Sequence, residues 1–186
     1  MERRLRFGSF LLVLFAATAA SATTLVHMSL EELAAAADVV ARVRCLENES
    51  RWEQGEIWTF TSFEVVETLK GPGPRLLTVR LLGGQVGHLV STVAAVPRFR
   101  PGEEVFLFLE RTPAGDFGVT SWVQGTFRIH REAPTGLESV TQDSSGLAVF
   151  DPATRKFRPA GIRNLPLETF KQKLAASLER HAGRRP

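Results

Sequence analysis

The residues that most often carry chemistry in proteins are few and scattered in this chain of 186 residues. The histidines are His27, His88, His130 and His181, and no two of them have the H-x-x-x-H spacing of metal ligands. Cys45 is the only cysteine, so neither a Cys/His cluster nor a disulfide within the chain can form. The sequence therefore predicts no protein metal site.

Other groupings do not predict catalysis either. No serine stands in a G-x-S-x-G elbow. The glycine-rich segment 83–88 lacks the G-K-[ST] of a phosphate-binding loop, and no periodic helix follows it. Glu64 and Glu67 lie on a predicted strand, where we expect solvated carboxylates without an acid/base role. We therefore expect no cofactor and no enzymatic activity.

The tryptophans are the side chains best suited to a contact surface, because aromatic rings bury a large area. Trp52 and Trp58 flank one predicted loop, and Trp122 lies further along the chain. Trp52 and Trp58, with Thr23, form the partner surface that we predict. Packing of the tryptophans in the core or at the end of a barrel is the alternative. A basic stripe interleaved with aromatic residues is absent from the sequence, so we expect no nucleic-acid partner.

Residues 1–22 have the pattern of a cleaved secretory signal peptide. An arginine-rich start precedes an apolar run over residues 10–17, and Ala20 and Ala22 form an A-x-A site that places cleavage before Thr23. The run is shorter than the roughly 20 residues that span a bilayer. We therefore expect a secreted or periplasmic protein with no stable membrane insertion after cleavage. The leader contributes +2 to the net charge of +3, and the remaining +1 is too small a charge to indicate nucleic-acid binding.

The stretch 37–71 organises the predicted fold. It reads as two strands, 39–46 and 57–69, joined by a polar connection over 47–56 and closed by a Lys-Gly turn. Cys45 shares the parity of the apolar residues of the first strand, which predicts a buried thiol; a nucleophile or a disulfide to a partner is the alternative. The apolar residues of the second strand change parity, which predicts a bulge or strong coiling.

Local signals predict the remaining elements. Ser29 and Glu32 form a capping box that starts a short helix before the first strand. The run 105–109 is apolar on both parities, as in a central strand buried on both faces. We also predict strands 76–82, 117–122 and 125–130, an irregular loop over 132–146, a small hairpin of 148–150 with 156–159, and an amphipathic helix over 167–180.

Short strands separated by turn signals, with helices only at the ends, predict a mainly β fold. The predicted organisation is a signal peptide over 1–22, a β-barrel domain over 23–131, and a segment over 132–186 that holds the loop, the hairpin and a C-terminal helix packed on the barrel.

The central stretch resembles the netrin-like modules of the tissue inhibitors of metalloproteinases. The matching features are the A-D-V-V of residues 37–40, the V-x-x-x-x-K-G of 65–71 and, loosely, the G-E-E-V-F-L of 102–107. The order of these motifs also resembles that of a set of uncharacterised exported bacterial proteins. The likeness covers residues 30–109 and implies a small barrel of the oligonucleotide/oligosaccharide-binding (OB) type with five strands.

The inhibitory residues of that family do not carry over to this chain. The family's mature chains begin with a Cys-x-Cys whose amine and carbonyl chelate the protease zinc, whereas the predicted mature start here is Thr23. The family's disulfides are also absent, and we expect the N-terminal end not to be fastened to the barrel. We therefore predict an exported, non-enzymatic binding module with a protein partner, for which an extracellular protease is a candidate. An envelope-associated structural protein and an enzyme of unrecognised type are the alternatives.

Overall fold

The computed structural model describes residues 25–182. The predicted signal peptide, its cleavage site and Thr23 lie outside the described residues. Within them the fold is mainly β, with one short helix near each end, α1 (Leu30–Ala36) and α2 (Leu167–Ala182). The predicted fold class is therefore confirmed at the level of a mainly β fold with terminal helices.

Both helices form where local sequence signals place them. The Ser29 hydroxyl accepts from the Glu32 amide at 3.2 Å, and the Glu32 carboxylate accepts from the Ser29 amide at 2.7 Å, so the predicted capping box is confirmed. Helix α2 buries Leu167, Phe170 and Leu174 on one face, as its apolar spacing predicts.

Twelve strands and two short 3-10 helices make up the rest of the described structure. The strands are β1 (Val39–Glu53), β2 (Glu56–Lys70), β3 (Leu76–Leu82), β4 (Gly84–Val86), β5 (Leu89–Ser91), β6 (Glu104–Arg111), β7 (Phe117–Val119), β8 (Thr126–Arg131), β9 (Glu138–Gln142), β10 (Ala148–Asp151), β11 (Lys156–Pro159) and β12 (Leu165–Pro166). The 3-10 helices are η1 (Trp122–Gly125) and η2 (Asp143–Gly146).

The main sheet has eight strands in the order β1-β2-β3-β7-β6-β8-β9-β12, and β6 also pairs with β1. The pairings therefore return from β6 to the first strand of the sheet. All of them are antiparallel except that of β3 with β7, which is parallel and consists of one residue pair, Val79 with Phe117. Strands β3 and β7 are thus joined by the fewest residue pairs in the sheet. The candidate site lies beside this contact.

Two hydrophobic cores lie on the two sides of β1 and β6. Val43 and Leu107 belong to a first core enclosed by β1, β2, β3, β6 and β7. Val40 and Phe106 point the other way, into a second core formed with α1, α2, β8 and β9. Residues 105–109 are all buried, so the prediction of a central strand buried on both faces is confirmed. Cys45 is also buried in the first core, as its parity predicts.

The predicted polar connection over 47–56 is wrong. Strands β1 and β2 pair as far as Glu53 with Glu56, and only Gln54 and Gly55, with φ of 53° and 86°, form the turn. Polar residues continue the ladder because they bond to one another: Asn48 accepts from the Thr61 hydroxyl at 2.7 Å. The bulge predicted from the change of parity is confirmed by three register shifts between β1 and β2.

Two predictions in the C-terminal half are also wrong. Strand β9 forms inside the expected loop over 132–146, because Val140 fills the second core and Gln142 bonds to the backbone on both sides. The strand expected over 117–122 ends at Val119, since Ser121 and Trp122 adopt φ of 51° and 53° and start η1. The hairpin of β10 with β11 is confirmed.

Candidate binding cleft between two strands

A cleft of about 380 Å³ opens between β3 and β7, on one side of the Val79–Phe117 bridge; we call it the Trp58 cleft. Trp58 and Trp122 contribute aromatic walls, and the remaining apolar lining comes from Leu81, Leu82, Val96 and Val119. Arg80, Glu110, Thr112 and Gly118 complete the lining. A cleft with mostly apolar walls and few polar groups is the usual form of a small binding site.

Strand pairing positions the aromatic wall. Trp58 on β2 lies opposite Leu82 on β3, and Phe60 lies opposite Arg80, so all four side chains share one face of the sheet. The Arg80 guanidinium lies 3.9 Å from the centre of the Trp58 ring and 5.8 Å from that of Phe60. These cation–π contacts hold Trp58 and Arg80 against each other.

Arg80 is engaged inside the protein. Its terminal nitrogen lies 3.1 Å from a carboxylate oxygen of Glu53, and 18% of its side chain is exposed. Its Nε is buried without a hydrogen-bond partner among the described residues. Because the guanidinium is stacked and ion-paired, Arg80 serves as a fixed wall of the cleft and its charge is already offset by Glu53.

Glu110 is the polar group that stays available at the rim. It lies directly opposite Gly118 across β6 and β7 and is exposed. A Cβ added to Gly118 would lie 3.4 Å from Glu110 Oε1, so the carboxylate reaches over the glycine. Within residues 25–182 its carboxylate has no hydrogen bond and no ion pair. The cleft thus combines an apolar interior with one free negative charge.

Trp122 is positioned by the first turn of η1 rather than by a strand. It is half-buried against the first core, and η1 is fixed by the buried side chain of Gln124. That amide donates to the Ser121 hydroxyl at 2.9 Å and to the Val26 carbonyl at 2.8 Å. Its oxygen accepts from the Met28 amide at 2.9 Å.

The same contacts correct the expectation that the N-terminal end is not fastened to the fold. Besides the two bonds to Gln124, the Phe150 amide donates to the Leu25 carbonyl and the His27 amide donates to the Phe150 carbonyl, each at 2.8 Å. Four hydrogen bonds therefore hold the first four described residues against η1 and β10. The sequence offered no signal for this, since Gln124 and Phe150 are about a hundred residues further along the chain.

The structure does not bring the predicted surface residues onto one face. Trp52 lies opposite Ile57, whereas Trp58 lies opposite Arg51, so the two tryptophans project from opposite sides of the β1–β2 hairpin. Trp52 is 51% exposed and Trp58 is half-buried in the cleft. Thr23 lies outside the described residues. The pairing therefore separates Trp52 from Trp58, and a surface that joins Thr23 to either of them stays a prediction.

Sequence reasoning missed Arg80, Glu110 and Gly118 as members of a site with Trp58 and Trp122. The alternation of Arg80 with Val79 and Leu81 indicates that Arg80 lies on the outer face of β3. The pairing of β3 with β7 had no local signal, because one bridge between residues 38 positions apart creates it.

The carboxylates and the thiol considered in the sequence analysis are ion-paired or buried within the fold. The carboxylate of Glu64 lies 3.3 Å from Arg44, and that of Glu67 lies 2.9 Å from Lys171. Burial raises the pKa of the Cys45 thiol, with a further contribution from the nearby charge of Glu103, so the reactive thiolate is disfavoured. In the part of the chain that the structure describes, no three His, Cys, Asp or Glu side chains are grouped to hold a metal ion.

The glycine-rich segment 83–88 forms no phosphate loop. Gly84 begins β4, which pairs with β5 as a two-stranded hairpin packed near Ser50 and Thr59. None of the helices within residues 25–182 is both long enough and apolar enough to cross a membrane.

No protein-family model matches this chain, and no curated protein matches it with significance.

Proposed function

We propose that this chain is an exported, non-enzymatic binding module that engages a protein partner through the Trp58 cleft. The carrying observation is the cleft itself: two tryptophan walls, an apolar floor and one free carboxylate at the rim. Export is inferred from the signal-like pattern of residues 1–22. An extracellular protease remains the candidate partner that the netrin-like resemblance suggests.

We also propose that the five strands around the first core form a small barrel of the OB type. The successive pairings β1–β2, β2–β3, β3–β7, β7–β6 and β6–β1 support it, because they form a ring in which every strand has two neighbours. Strands β3 and β7, the third and fifth of these strands in chain order, make the one parallel contact of the ring, and the cleft lies beside it.

The polar groups of the cleft favour a protein ligand over a nucleic acid or a sugar. Phosphates would meet the free charge of Glu110, while Arg80 is already paired with Glu53. A sugar needs several available donors and acceptors, yet the Thr112 hydroxyl is engaged with Asp116. An apolar or aromatic side chain of a protein fits the two tryptophan walls and needs few polar contacts.

The test is affinity capture with the immobilised full chain, using secreted and envelope proteins of its source cells. Three variants are compared with the wild type. Trp58→Ala removes one wall of the cleft. Gly118→Leu fills the cleft while Trp58 stays in place. The fold should tolerate this leucine, because a Cβ at position 118 would make contacts of ordinary length. Phe157→Ala is the matched control, because that aromatic ring is 60% exposed on β11.

We expect a protein that the wild type and the Phe157 variant retain, and that both cleft variants bind about tenfold or more weakly once it is purified. Circular dichroism checks that the variants are folded. If a metalloprotease is captured, its activity is measured with and without the chain. Equal retention by the cleft variants, or no retained protein in repeated captures, would overturn the proposal.

A further inference from the structure

A second cavity of about 540 Å³ lies on the other side of the Val79–Phe117 bridge. Leu46 and Leu76 line it together with Glu47 and Thr78, and we call it the Leu76 cavity. Leu46 and Leu76 are 43% and 61% exposed, so this cavity presents apolar surface to solvent. The two openings therefore flank one bridge between the same pair of strands.

The two openings are aligned along β3. Leu76, Thr78, Arg80 and Leu82 alternate with buried residues and share the outer face of the strand. At about 3.3 Å per residue, Leu76 and Arg80 lie about 13 Å apart along the strand. In an extended peptide, residues four positions apart cover the same distance and point to the same side. One extended chain could thus place a side chain in each opening.

Each opening also carries a carboxylate without a partner. Glu110 lies at the rim of the Trp58 cleft and Glu47 at the Leu76 cavity, both exposed, and among the described residues neither has a hydrogen bond or ion pair. Of the arginines beside them, Arg80 is paired with Glu53, whereas Arg111 at the Leu76 cavity is exposed and keeps its positive charge. Asp116 also lines that cavity, so its two carboxylates outnumber the one guanidinium and the lining carries a net negative charge.

We propose that the ligand is an extended, cationic polypeptide segment with an aromatic anchor in the Trp58 cleft and an aliphatic anchor four residues away in the Leu76 cavity. This inference rests on the proposed function and specifies its partner by chemistry. Lysine or arginine residues next to the anchors meet Glu110 and Glu47, which supplies the charge complementarity that orients the segment.

The test measures binding of a fluorescein-labelled eight-residue peptide to the full chain by fluorescence polarisation. The probe has tryptophan at its third position, leucine at its seventh, and lysines on both sides of each, with glycine and serine elsewhere; a peptide of reversed order is included. Comparison peptides replace the tryptophan by serine, the leucine by serine, or all lysines by glutamate. Protein variants are Gly118→Leu, Leu76→Ser, and the double variant Glu47→Gln with Glu110→Gln. Glu179→Gln is the control for the charge changes, because Glu179 is exposed on α2, which packs against the second core and away from the two openings.

We expect the tryptophan peptide to bind about tenfold more tightly than its serine counterpart, and Gly118→Leu to remove that difference. Leu76→Ser should remove the preference for leucine. The double charge variant and a rise of salt from about 0.05 to about 0.5 M should each weaken binding several-fold, whereas Glu179→Gln should not.

Three outcomes would overturn the inference. Binding unchanged by Leu76→Ser and by the leucine replacement would show that one anchor suffices. Binding unchanged by salt and by the charge variant would exclude a cationic ligand. If a protein is captured in a cleft-dependent way while neither peptide order binds, this inference fails and the proposed function stands.

Discussion

Lys70 closes the C-terminal end of α1, because its Nζ donates to the backbone carbonyl of Ala34 at 2.7 Å. It also donates to the Ala37 carbonyl at 2.5 Å. The last carbonyls of a helix lack partners within the helix, and a cation there is favoured by the helix dipole. Lys70, the last residue of β2, thus stabilises the end of α1 just before β1 begins.

Replacement of Lys70 by Met should therefore lower the free energy of unfolding by about 1–2 kcal/mol, since the apolar stem is kept while the donor is lost. Urea unfolding followed by circular dichroism measures it. Lys156→Met on β11 is the control and should change stability little, because that lysine is exposed. Equal stability of the Lys70 variant and the wild type would contradict the capping role.

Gly71, the next residue, should tolerate no side chain. A Cβ there would lie 2.2 Å from the Asp38 carbonyl oxygen, and its φ is +74°. We expect Gly71→Ala to destabilise the fold by about 2 kcal/mol or more, through steric clash added to backbone strain. Gly136→Ala separates the two effects, because its φ is +69° and nothing lies within 4 Å of its Cβ position. It should cost only about 1 kcal/mol. Equal costs for the two variants in thermal or urea unfolding would exclude the clash.

These contacts give a physical reason for two of the motifs on which the netrin-like resemblance rests. Ala37 and Asp38 meet Lys70 and Gly71 in space: Lys70 bonds to Ala37, and Gly71 allows the chain to pass the Asp38 carbonyl. The Asp38 carboxylate also accepts from the Arg111 amide at 2.9 Å, which ties the same corner to the end of β6. Such motifs follow from the packing of a helix on two strands, so they carry information about fold and none about a ligand.

Several features that depend on local pattern were predicted correctly from the sequence. The capping box of Ser29 and Glu32, the apolar face of α2 and the double burial of residues 105–109 can each be read within a few turns or one strand. It failed where long-range pairing decides. Strand β9 contains one fully buried apolar residue, Val140, and exists because β8 lies beside it.

The candidate cleft was out of reach for the same reason. Its members come from β2, β3, β6, β7, η1 and two connecting segments, and the pairing of β3 with β7 brings Trp58 near Glu110. The tryptophans were identified as contact residues from their type alone. Their grouping depends on the pairing of the strands. The register places Trp52 and Trp58 on opposite faces, and the tryptophan that shares the cleft with Trp58 is Trp122.

Replacement of Gln124 by Ala should release the N-terminal segment. The substitution leaves the Met28 amide and the Val26 carbonyl without partners, at a cost of about 1 kcal/mol for each, because both hydrogen bonds are only partly buried. We expect hydrogen exchange at the amides of His27 and Met28 to accelerate more than exchange at Phe106 in the centre of the sheet. Gln85→Ala, at an exposed glutamine of β4, is the control and should change neither. Unchanged protection of Met28 in the Gln124 variant would show that the segment is held by its contact with Phe150 alone.

Glu104 should make stability depend on pH in the acid range. Its two carboxylate oxygens each accept from one guanidinium at 2.6 Å, from Arg42 and from Arg44. Burial alone would raise the pKa of this carboxyl, but the hydrogen bonds and charges of the two arginines outweigh it and hold the pKa below its ordinary value of 4.5. Because the folded pKa is lower than the unfolded one, the stabilisation is complete above the unfolded value and is lost as the pH falls through the folded one.

Glu104→Gln should therefore lower the free energy of unfolding at pH 7 by about 1–2 kcal/mol, and its difference from the wild type should shrink between about pH 5 and pH 3. Thermal unfolding over this pH range measures the difference. Glu49→Gln is the control, because Glu49 is exposed and makes no ion pair within the described residues, and it should match the wild type at pH 7. A deficit of Glu104→Gln that stays constant down to pH 3 would mean that the carboxylate contributes through its shape and hydrogen bonds alone. The charge of Glu104 would then play no part in holding β1 to β6.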